Sequence, residues 1–125
     1  MDHERQIRDI WDARSRGDLE PLRGALTPDA KWRAVEDGPW NCENAAAIID
    51  VMASQLADGF SGQIEDVFEV GERTVVAFRP DRHEPGEWPL DHGIRYLVVS
   101  FAGERLTELK GCADRAAALA YAESV

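Results

Sequence analysis

Apolar residues recur at helical spacing from His3 to Arg16, where Ile7, Ile10 and Trp11 mark one face and Arg14 continues it. Gly17 is placed to end that helix. Asp18 then caps a second short helix with Leu19, Leu22 and Leu26 as its apolar side and Pro21 in the tolerated first turn. Ala30 to Val35 reads as a strand bearing Trp32, closed by the turn formers Glu36-Asp37-Gly38-Pro39-Trp40. Asn41 is a cap for the next helix, Glu43 to Ala57, which carries the longest apolar stripe of the chain, Ile48, Ile49, Met52 and Leu56, and stops at Asp58-Gly59.

After Gly59 the period falls to two. Residues 63–70 pair with 73–79 across Gly71-Glu72, a glycine-first two-residue turn that sets Val70 opposite Arg73. That register puts Ile64, Asp66, Phe68 and Val70 on one face with Val75, Ala77 and Arg79, and Val67, Val76 and Phe78 on the other. Both faces are apolar, so the sheet needs two covers. The helices are one, and a second subunit is the expected other, which makes a homodimer the economical assembly. Residues 80–89, rich in proline, glycine and charge, read as a loop. Ile94 to Phe101 and Arg105 to Cys112 form a second hairpin around Ala102-Gly103-Glu104, and Asp114 caps a terminal helix over 115–121. The order is that of an α+β fold with a curved, mostly antiparallel sheet.

The chain has 125 residues, 44% of them hydrophobic, enough for one core and one domain, residues 1–125. Its 24 acidic against 14 basic residues give a formal charge of -10, which argues against nucleic acid or an anionic membrane as partner. Nothing approaches a spanning apolar run, and the opening Met1-Asp2-His3-Glu4-Arg5 is charged, so a cytoplasmic location is the default expectation. Cys42 and Cys112 lack metal-ligand spacing and read as buried reduced thiols, and neither a metal nor a cofactor is called for.

Arg16-Gly17-Asp18-Leu19, the run from Leu26 to Trp32 (Leu-Thr-Pro-Asp-Ala-Lys-Trp), residues 43–48, and Gly103-Glu104-Arg105-Leu106 through 114–119 together carry a resemblance over nearly the whole chain. They resemble the SnoaL-like branch of the nuclear transport factor 2-like superfamily. The resemblance implies a cone in which helices and a concave sheet enclose an apolar cavity, usually in a homodimer. It does not imply one activity, because the superfamily includes polyketide cyclases, steroid isomerases, epoxide hydrolases, dehydratases and members without catalysis. Steroid isomerases of this fold place a tyrosine, an aspartate base and a protonated acid where this chain has Ile10, Ala34 and Leu97, so their chemistry lacks its parts. Residues 73–79 hold no Arg-x-Asp pair of the epoxide hydrolase kind, and the last-strand aspartate of those enzymes falls near Gly111. The acidic residue of SnoaL-like cyclases corresponds by position to Asp114, which helix capping also explains.

The remaining candidates each have an ordinary reading beside an interesting one. Arg95 shares strand parity with Leu97, Val99 and Phe101 and can anchor a carbonyl or carboxylate, or form a salt bridge. His92 is the histidine best placed for proton transfer, or a solvated loop residue. Asp66 and Arg79 can pair across the hairpin, His83 and Glu84 read as exposed, and Cys42 beside Trp40 can be a nucleophile, although no histidine or helix placement known from the sequence supports an activated thiolate. Trp11, Trp32 and Trp40 fall on elements that line the mouth in this fold, where they suit a flat apolar ligand or serve as core. The pocket candidates are therefore Trp11, Trp32, Trp40, His92, Arg95, Leu97 and Asp114. Two functions from different classes follow: a soluble pocket protein binding a small apolar or polycyclic molecule, and an acid-base enzyme of cyclase, isomerase or hydrolase type on a polyketide-like or terpenoid-like substrate.

Overall fold

A computed structural model describes residues 3–35, 41–59, 61–81 and 93–124. Its elements are α1 (His3–Ser15), α2 (Glu20–Ala25), β1 (Leu26–Arg33), α3 (Ala45–Ala57), β2 (Gly62–Val70), β3 (Arg73–Pro80), β4 (Arg95–Ala102), β5 (Arg105–Cys112) and α4 (Arg115–Glu123). The five strands form one sheet in the order β1-β5-β4-β3-β2, with β1 and β5 parallel and the other pairs antiparallel. No helix among the described residues is long and apolar enough to cross a membrane.

Local chemistry explains most boundaries. Gly17 takes a left-handed φ of 83° after α1, a conformation a side chain disfavours. Asn44, not Asn41, caps α3: its side chain accepts the Ala47 N–H at 2.8 Å, while Asn41 Oδ1 accepts from Ala34 N. The helix therefore starts two residues later than its sequence suggested. Leu26 is the first residue of β1 rather than the last of α2, because it pairs with Leu106 of β5. Asp18 does not cap α2 in the usual geometry; its Oδ1 accepts from Glu20 N at 3.0 Å and the cap position is Leu19.

Val70 faces Arg73 as the glycine-first turn required. Beyond Asp66 the register slips, and Ile64 faces Phe78 with Glu65 as the extra residue. The bulge turns Ile64 to the same side as Val67 and Val76, reversing the face expected for it. It also gives Arg79 a different partner: Nε donates to Glu65 Oε1 at 2.5 Å on the surface, in place of Asp66.

Two cores result. On the concave side α1, α2 and α3 bury Ile7, Ile10, Leu22, Ile48, Ile49 and Met52 against Val67, Val76, Val99 and Leu109 of the sheet. On the reverse side Val75, Ala77, Tyr96, Val98 and Cys112 are covered by Ala118 and Ala122 of α4. Val75 and Val98 are both 0% exposed, a burial worth about 1.5–3 kcal/mol each. Part of the reverse face, for which a second subunit was the expected cover, is covered by the chain's own last helix, whose alanines one turn apart let its backbone lie close to the strands, while Phe68, Val70 and Ile94 are only partly buried.

Candidate functional site

The last turns of α1 put Trp11 and Arg14, three residues apart, toward the concave face of the sheet. Arg14 is only 2% exposed. Its guanidinium lies 4.6 Å from the Trp11 ring centroid, and its Nη2 donates to Gln55 Oε1 of α3 at 3.3 Å. Burial holds its pKa below the ordinary arginine range, because desolvation disfavours the charged form. Trp11 in turn meets Phe78 of β3 edge to face, ring centroids 4.5 Å apart and planes at 62°.

Phe78 is Arg95's cross-strand neighbour, so the half-buried Arg95 stands on the same face. One step along, Leu97 lies between Val76 of β3 and Gly111 of β5. Leu109 then bridges Val99 to Trp32 of β1. Trp11, Arg14, Gln55, Phe78, Arg95, Leu97 and Trp32 thereby form one wall. Gly62 makes it possible: a Cβ there would sit 2.4 Å from Phe78 Cζ and 2.3 Å from the Arg79 carbonyl oxygen.

Of the sequence candidates, Trp11, Trp32, Arg95 and Leu97 share this wall. Asp114 does not join it. Its side chain accepts from Ala117 N at 2.7 Å as the cap of α4, the helix on the reverse side. Trp40 and His92 lie outside the described residues. Cys42, buried beside Trp32 through a two-way backbone bridge of 2.9 Å bonds, has its thiol pushed up by burial and then by Glu43, opposite to what a nucleophile needs. Arg14, Gln55 and Phe78 were not among the candidates. Arg14 was legible as the next position on the Ile7, Ile10, Trp11 face, but Gln55 and Phe78 reach the site through tertiary packing and carry no local signal.

Among the described residues no group of three histidine, cysteine or carboxylate side chains could hold a metal. Two clefts open elsewhere, near the β2–β3 and β4–β5 turns. One, of about 390 Å³, lies between α1 and α2 and reaches Glu104; the other, of about 340 Å³, runs along His3, Glu69 and Phe101. Neither is lined by a residue of the arginine wall. In the second, His3 stacks on Phe101 with centroids 3.7 Å apart and its Nε2 is 3.0 Å from the Gly103 carbonyl oxygen, so the cleft is occupied in part by a clasp of α1 onto the hairpin.

No family model matches the chain, and no curated protein does. Solved structures do match. A cystatin-fold protein of Novosphingobium aromaticivorans superimposes with a TM-score of 0.69 at 19% identity, covering 89% of this chain and 97% of that one. A provisionally named polyketide cyclase of Sinorhizobium meliloti gives 0.67 at 19% identity over 85% and 92%. An LEH-like epoxide hydrolase of M. tuberculosis gives 0.65 at 14% identity over 93% and 85%. The fold is the nuclear transport factor 2-like, cystatin-like one that the sequence motifs implied.

Proposed function

We propose that this chain uses its nuclear transport factor 2-like fold to bind a small, flat, largely apolar molecule on the concave face, against the wall of Trp11, Phe78, Trp32 and Leu97. The burial of Arg14 is the observation that carries the reading. A guanidinium is expensive to desolvate, and an element whose only task was packing would fill that position with an apolar side chain. An aromatic lining with a few fixed polar donors is the usual composition of a small-molecule site. The polyketide cyclase and epoxide hydrolase among the structural neighbours favour a ligand of that kind.

Binding ranks ahead of acid-base catalysis because, among its described residues, the wall carries arginines and no carboxylate or imidazole that could move a proton at neutral pH. Native mass spectrometry against a panel of polycyclic ketones tests it. A one-to-one adduct that is lost in Trp11→Ala is the expected result; no adduct with any member of the panel, or one indifferent to Trp11, overturns it.

A further inference from the structure

Resting on that pocket reading, we infer that α1 is a gate over the candidate site, held shut at its N-terminal end by a latch onto the β4–β5 turn and opened by an entering ligand. Phe78 is only 5% exposed and meets Trp11 edge to face. A flat molecule reaches that ring by displacing Trp11, and Trp11 moves with its helix.

The two ends of α1 are held differently. At the C-terminal end Gly17 N donates to the Arg14 carbonyl oxygen at 2.8 Å and Asp18 N to that of Ala13 at 2.9 Å, while Arg14 is tied to Gln55 of α3. At the N-terminal end Gln6 Nε2 donates to the Glu104 carbonyl oxygen at 2.6 Å, His3 Nε2 lies 3.0 Å from the Gly103 carbonyl oxygen, and the His3 ring stacks on Phe101. Both of these side-chain contacts are exposed, so water replaces them at small cost. Open space flanks this end on both sides: the cleft of about 390 Å³ reaches Gln6 and Glu104, and the cleft of about 340 Å³ reaches His3 and Gly103.

Leverage ties the latch to the site. A helix rises ~1.5 Å per residue, which puts Trp11 about 9 Å and His3 about 21 Å from Gly17. Admitting a ring about 3.5 Å thick beneath Trp11 by tilting the helix about Gly17 therefore carries His3 about 8 Å, beyond the reach of either bond. The latch and the ligand cannot both be engaged. Ile7 and Ile10, 7% and 9% exposed, bury against the sheet and keep the shut form dominant.

Hydrogen exchange read by mass spectrometry on the unmodified protein and on the double variant His3→Ala, Gln6→Ala tests the gate. Alanine is a better helix former than either residue it replaces, so faster exchange does not arise from a weaker helix. Amides of residues 7–15 exchange about tenfold faster in the variant, while α3 and β4 keep their rates. Acceleration confined to residues 3–6 is fraying and overturns the gate. Tryptophan-fluorescence titration with 9-fluorenone, a polycyclic ketone, reads the coupling: with the opening penalty reduced, the double variant binds about tenfold more tightly. Unchanged or weaker binding there overturns the coupling and leaves the pocket standing. No binding of it or of any other ketone of the panel to either form overturns the pocket, and exchange still decides whether α1 opens as a unit. If the double variant fails to fold by circular dichroism, Gln6→Ala alone carries both measurements.

Discussion

Arg73 reaches from the start of β3 to the last turn of α4, where its Nη1 donates to the Tyr121 carbonyl oxygen at 2.8 Å and its guanidinium lies 5.1 Å from the centroid of the Tyr121 ring. The same nitrogen donates to the Ser124 carbonyl oxygen at 2.7 Å, and Nε donates to Ser100 Oγ at 3.1 Å. A cation at a helix C-terminus satisfies carbonyls that have no partner within the helix. Arg73→Met should cost about 2 kcal/mol in urea unfolding, with amide exchange accelerated in α4 ahead of the rest of the chain. Unchanged protection in α4 would mean that its alanine contacts alone hold it down.

The hydroxyl of Tyr121 donates to Glu108 Oε1. Burial, then that hydrogen bond and the carboxylate charge, push the phenol from 10.0 up to about 12, with Arg73 opposing. A folded-state pKa above the unfolded one contributes stability that is complete below pH 10 and is lost as pH rises toward 12. The stability advantage of the unmodified protein over Tyr121→Phe should therefore shrink across that window and stay constant between pH 7 and 9. A constant difference up to pH 12 would remove the linkage.

Thr74 is 0% exposed and its hydroxyl oxygen is buried with no hydrogen-bond partner among the described residues. Its desolvation is uncompensated, so Thr74→Val, which keeps the branched shape and β preference, should raise stability by about 1 kcal/mol. Thermal unfolding measures this directly, and a lowered midpoint refutes it.

Gly62→Ala brings a methyl group to 2.4 Å from Phe78 Cζ and 2.3 Å from a backbone oxygen. The ring must swing off the strand, taking the edge contact with Trp11 with it. We expect a loss of about 1–3 kcal/mol and a displaced Trp11 indole N–H resonance, assigned by comparison with Trp11→Phe. An unmoved resonance would separate Gly62 from the candidate site.

Much of this arrangement was readable where it depends on neighbouring residues. The turn at Gly71-Glu72 dictates Val70 opposite Arg73, and helical spacing dictates the buried face of α1 through Arg14. Legibility failed where distant parts of the chain decide. Glu65 has nothing in its local sequence to mark it as the extra residue, so strict alternation put Ile64 on the wrong side. The terminal helix was recognised from Asp114 and its alanines, but its seat on the sheet depends on Arg73, 48 residues before Tyr121, and on the small side chains at Ala118 and Ala122. The candidate site divides in the same way. Arg95 and Leu97 follow from strand parity, whereas Gln55 joins Arg14 only when α3 packs beside α1.

The bulge at Glu65 has an effect beyond re-aiming one isoleucine. β2 is an outermost strand, and along it Glu65, Asp66 and Glu69 are exposed. An interrupted hydrogen-bonding rhythm and a row of like charges make that border a poor template for strand addition by a neighbouring copy. Concentrated solutions of the protein should accordingly resist fibrous aggregation along this edge, and charge neutralisation there, as in Glu65→Gln with Asp66→Asn, should weaken that resistance.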